Sequence, residues 1–184
     1  MPFLKIKLMK KILFIIIFSL LYCNTSNASF EWIKNQTEYT DANQLFFDSE
    51  KRFLKLIESN VSSKSFPPFT GTEGTLIEKF KRILGGPPNE VAYYEDKRYV
   101  VTSSCEARAC PVKAFIFIDT KEKYIIGLIR EWEGELYIFS QAHKLYSDLP
   151  EIFFRSVIDW SKKFDIKSTQ VFFIGSDEIL RQAE

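Results

Sequence analysis

Three groups in this 184-residue chain have residue types and spacing that could do chemistry: the cysteine pair of Cys105-Glu106-Ala107-Arg108-Ala109-Cys110, the carboxylates Glu131, Glu133 and Glu135 of "EWEGE", and the single histidine, His143. Two thiols with four residues between them can close a small disulfide loop. Two neighbouring carboxylates can run acid/base work at a glycosidic bond. Here Glu133-Gly134 makes a ready hairpin turn, so the three glutamates read as solvated turn acids. One histidine is too few for a convincing histidine metal cluster, Cys-His pair or Ser-His-Asp arrangement. His143, just past a strand end in "SQAHKLYSD", reads as a surface or capping residue. "ILGGPPN" follows a helix instead of preceding one, so its glycines do not form a phosphate cradle. The expectation is a protein with no catalytic residue, no metal and no cofactor.

The N-terminus sets the compartment in which the cysteines operate. Residues 1–11 carry Lys5, Lys7, Lys10 and Lys11 without an acid, and the run from Ile12 to Cys23 has no charge. That run is well short of the roughly 20 residues a helix needs to cross a bilayer, which predicts a cleaved signal peptide and no transmembrane segment after cleavage. Ser26 and Ala28 supply the small residues a signal peptidase reads, placing the cut after Ala28 and the mature chain at 29–184. Tyr22 stands where a lipobox wants a small residue, which disfavours lipidation at Cys23. Cleavage leaves 21 basic against 24 acidic side chains. A net charge near −3 argues against a nucleic-acid partner. Cys23 leaves with the signal, and an even pair in an oxidising compartment reads as one Cys105–Cys110 disulfide. A loop this short gains only about 2 kcal/mol by the chain-entropy estimate, so the bridge fixes loop shape more than it holds the domain together.

The elements that position the loop follow from periodicity. "DANQLFFDSEKRFLKLIESN" opens with Asp41 and Gln44 at capping-box spacing and places Phe46, Phe53, Leu54 and Ile57 on one stripe, predicting a helix over 41–59. Pro67 and Pro68 form a linker, and "TLIEKFKRIL" resumes a helix that Gly85 to Pro88 end. Strands are predicted at 90–96, 98–104, 112–119, 124–130 and 135–141, joined by short turns into an antiparallel meander. Near-continuous apolar runs at 114–118 and 124–126 imply that both faces of the sheet are covered by helices. A third helix begins near Leu149 with Ile152, Phe153, Val157 and Trp160 on one stripe, and "TQVFFIG" is a last strand of unassigned partner. Asn35 and Asn60 head glycosylation sequons, meaningful only on a eukaryotic secretory path. The predicted fold class is thus α+β, a single domain with an antiparallel sheet of about five strands and helices on both faces.

The segment "YVVTSSCEARACPVKAFIFIDTKEKYIIGLI", Tyr99 to Ile129, resembles the centre of the inhibitor of vertebrate lysozyme family, the Ivy-like periplasmic proteins, in which a strand enters a C-x4-C loop and a long strand leaves it. The resemblance implies that the bridged loop protrudes from the sheet and plugs the active-site cleft of a lysozyme. The usual loop reads Cys-Lys-Pro-His-Asp-Cys, and its histidine engages the enzyme's catalytic carboxylates. In this chain Arg108 stands at that histidine's position and Ala107 and Ala109 at the flanking proline and aspartate, so the inhibitory signature is altered. A guanidinium can pair bidentately with a carboxylate, whereas Glu106 would repel an acidic cleft. The expected partner-binding loop is therefore Cys105, Glu106, Ala107, Arg108, Ala109 and Cys110, in a periplasmic protein that occludes a lysozyme or lytic transglycosylase-type enzyme. The alternative is an Ivy-fold envelope binding protein that has lost inhibition, and a homodimer is left open.

Overall fold

Seven strands in sequence order form one sheet: β1 (Ala92–Tyr94), β2 (Tyr99–Glu106), β3 (Ala109–Asp119), β4 (Tyr124–Arg130), β5 (Leu136–Phe139), β6 (Val171–Ile174) and β7 (Leu180–Gln182). The structure, a computed structural model, describes residues 30, 32–33, 41–47, 51–66 and 74–183. The expected signal segment with Cys23, the sequon at Asn35, and Pro67 with Pro68 lie outside the described residues. Every neighbouring pair of strands is antiparallel except β5 and β6. Short turns can only reverse the chain, but between β5 and β6 a 3-10 turn (Tyr146–Asp148) and a long helix (Glu151–Lys163) supply a crossover. The sheet is therefore α+β and mostly antiparallel, with two strands more than the expected five. "TQVFFIG" finds its partner in β5, and the three-residue β7 is too short to show a period.

The helix expected over 41–59 is two helices, α1 (Ala42–Phe46) and α2 (Arg52–Asn60). Asp41 caps α1 by accepting from the Gln44 N–H at 3.0 Å. Lys51, at the entry to α2, is left-handed with φ 55°, a conformation that an α-helix of L-residues does not carry. The buried stripe of α2 is Phe53, Leu56 and Ile57, so Leu56 takes the inward place expected of Leu54. Helix α3 (Leu76–Leu84) begins with a full capping box in which Thr75 and Glu78 exchange bonds, and it ends at Gly85 as expected. The carboxyl of Glu78 is held below the usual range by the Thr75 backbone N–H first and the Thr75 hydroxyl second. The long crossover helix, α4, is Glu151–Lys163.

Strand alternation then sorts the core into two layers. Along β3, Val112, Ala114, Ile116 and Ile118 face one side with Phe53, Leu56, Phe80 and Ile83 of α2 and α3. Phe115 and Phe117 face the other, against Phe153 and Trp160 of α4. Helices thus pack on both faces, as the unbroken apolar runs of β3 and β4 required.

Candidate functional site

The cystine loop is a hairpin that continues β2 and β3 at one end of the sheet. Glu106 pairs with Ala109, leaving Ala107 and Arg108 as a two-residue tip, and Cys105 and Cys110 are bonded with their Cα atoms 4.7 Å apart. Arg108 adopts φ 65°, a conformation costing about 1 kcal/mol or more for a residue with a Cβ. Below the tip the register breaks: Cys105 lies opposite Lys113, so Cys110, Pro111 and Val112 bulge out of β3. Ala107, Arg108, Cys110 and Pro111 are exposed, while Cys105 is buried. Arg108 has no ion pair with any of the described residues' carboxylates. Every residue expected at the loop is therefore brought together, although Glu106 plays a different part. Its carboxylate is 2.8 Å from Arg82 Nε of α3 and half-withdrawn from solvent, so its charge is matched within the molecule instead of being directed outward.

The base of the hairpin rests on the segment after α3. The Cys105 N–H donates to the Pro87 carbonyl at 3.1 Å, Ser104 Oγ donates to the Leu84 carbonyl at 3.0 Å, and Pro88 bridges to Ser104. Gly86 makes this approach feasible, because a Cβ there would stand 2.0 Å from the Cys105 carbonyl oxygen. In sequence, "GGPP" signals a helix stop only. Its second task depends on a contact between residues far apart in the chain.

A row of paired residues links this hairpin to the acidic turn. Cys105 opposes Lys113, Lys113 opposes Arg130, and Arg130 opposes Leu136, so the β2–β3 hairpin and the β4–β5 turn lie at the same end of the sheet. Two strand spacings place the two tips about 10 Å apart laterally. Gly134 holds the turn at φ 93° and donates to the Glu131 carbonyl, as expected of Glu133-Gly134. The expectation of three solvated acids fails at Glu131. Its carboxylate is 3.1 Å from Nζ of Lys79, a lysine of α3 only 6% exposed, so it is fixed in a buried ion pair. The missed signal was Lys79 itself, a lysine inside the apolar stripe of Leu76, Phe80 and Ile83. Between Glu131, Trp132, Glu133, Glu135 and Tyr137 lies an open depression of about 280 Å³, beside which Trp132 stands 60% exposed.

His143 sits away from this end. Nδ1 is 2.9 Å from the Ser140 hydroxyl, and the ring packs edge-on to Tyr124 at 4.7 Å. Burial lowers its pKa below the ordinary histidine value, with Asp148 opposing. Of the two expectations, a surface or a capping residue, the first does not hold, because the residue is half-buried. Asn60 ends α2 with its amide donating to the Leu56 carbonyl at 2.9 Å. Among the described residues no cluster of His, Cys, Asp and Glu could hold a metal ion, and no helix is long and apolar enough to cross a membrane. In comparisons with protein-family models, curated proteins and solved structures, none matches this chain.

Proposed function

We propose that this is an exported, periplasmic protein that binds and occludes a muramidase or another peptidoglycan-cleaving enzyme through the Cys105–Cys110 hairpin, in the manner of the Ivy-like inhibitors its central segment resembles. One observation carries the reading: a disulfide-closed hairpin tip at one end of the sheet holds an exposed arginine, unmatched by any described carboxylate. A short, covalently closed loop loses little conformational freedom on docking, which is the condition for inserting one side chain into a cleft. The Arg82–Glu106 pair supports the same reading, because an acidic cleft would meet Arg108 without facing an unmatched loop carboxylate. The action needs no catalytic group or cofactor, only occlusion. Export through a signal cut after Ala28 belongs to this proposal and would give a mature N-terminus at Ser29.

The altered loop favours a second reading. Arg108, Ala107 and Ala109 replace the residues that the family uses, and a protein of this kind could bind another envelope component without inhibiting hydrolysis. Titration against a c-type lysozyme and a lytic transglycosylase, with turbidity of peptidoglycan as the activity readout, separates the two. Inhibition that disappears in Arg108→Ala supports occlusion. Binding without inhibition supports the alternative, and absence of both removes the enzyme partner.

A further inference from the structure

Most charges around the cystine hairpin are matched: Arg82 by Glu106, Lys79 by Glu131, and Lys163 by Glu90 at 3.1 Å. Lys113 and Arg130 are not. They oppose each other directly across β3 and β4, on the sheet face that carries α4, and neither has a carboxylate partner among the described residues. Like charges directly opposite on one face are destabilising, and burial makes the arrangement worse. Lys113 is half-buried with its ammonium 5.0 Å from the centre of the Phe164 ring. Desolvation first, and Arg130 second, lower its pKa. The Arg130 guanidinium is aimed at the foot of the hairpin, where one terminal nitrogen donates to the Pro111 carbonyl at 2.5 Å, and its Nε is buried without an acceptor.

From this juxtaposition we infer that Lys113 and Arg130 form a carboxylate-binding subsite at the foot of the cystine hairpin, which takes an aspartate or glutamate side chain of the protein that the hairpin engages. The inference rests on the reading of the hairpin as a partner-binding element. Directly opposed residues have Cβ atoms about 4.5–5.5 Å apart, so one carboxylate can bridge an ammonium and a guanidinium. Such a contact converts a repulsive pair into a matched triad. It also gives the partner surface a second requirement: an acid beside the cleft, in addition to whatever Arg108 meets inside it.

The test separates this subsite from the wider reading. Sodium acetate is titrated into the free, disulfide-intact protein at constant ionic strength, and the Arg130 Nε–Hε resonance is followed by NMR. A saturable displacement by acetate, absent with chloride and absent in Lys113→Met, is expected. No acetate-specific displacement overturns the subsite, whatever the partner experiments give. Lys113→Met should also melt no lower than the parent protein, since it removes a like-charge contact, while it weakens the lysozyme or transglycosylase complex at least 10-fold. A complex that depends on Arg108 but tolerates both Lys113→Met and Arg130→Gln within 2-fold overturns the subsite and leaves the hairpin reading intact. Acetate binding in a protein that binds neither enzyme overturns the hairpin reading and leaves the anion site.

Discussion

Arg108 and His143 each have a local state that predicts something measurable. Arg108→Ala should weaken the enzyme complex by about 2–5 kcal/mol if the guanidinium enters a desolvated cleft, much of that being the partner's charge left unpaired. The melting temperature should hardly move, because the side chain is exposed. Arg108→Gly should weaken binding equally yet raise stability by up to about 1 kcal/mol, since glycine carries no Cβ into the φ 65° conformation. Equal melting of the alanine and glycine variants would deny the strain. His143 is the single histidine, so its proton signals titrate without overlap. Its folded pKa is depressed by burial, so the folded state binds its proton less readily than the unfolded chain. The sign follows: this group leaves stability unchanged above the unfolded value near 6.5 and lowers it as pH falls below that value. An NMR midpoint at or above 6.5 would contradict the buried environment.

At the scale of elements, the hairpin and its support should behave as one unit. Gly86→Ala should destabilise the protein by about 1–3 kcal/mol, the range for forcing a methyl into filled space, because the Cβ meets the backbone oxygen of Cys105. Denaturant titration measures this, and an unchanged midpoint would mean that the 85–88 segment does not brace the hairpin. Lys79→Met leaves Glu131 as an unpaired, mostly buried carboxylate and should cost about 3 kcal/mol. Lys79→Met with Glu131→Leu should recover much of that loss, since two apolar side chains need no charge partner. The disulfide differs in kind: mass spectrometry of the non-reduced protein should show two hydrogens fewer than the reduced form. Reduction should lower stability by only about 2 kcal/mol while weakening partner binding more, because the bridge holds the shape of the tip.

For the whole molecule, the sequence by itself determined the features that arise from near neighbours along the chain. The capping box at Thr75, the stop at Gly85, the turn at Gly134, the strands leading into and out of the cysteines, and helices on both faces were all legible. Each depends on local dihedral preference or on a period of apolar residues, and both are written in consecutive positions. Tertiary structure decided the rest. A parallel β6 required the path of α4, and the helix expected over 41–59 is two helices, the second entered through a left-handed Lys51. Glu106 looked like an outward charge until Arg82 met it across 24 positions, and Glu131 looked solvated until Lys79 did so across 52. Lys113 and Arg130 are unremarkable in sequence and become a like-charge pair only through strand register. The physical reason is common to these cases: the state of a charge depends on what lies within a few ångströms of it, and strand pairing brings residues that close irrespective of their separation in the chain.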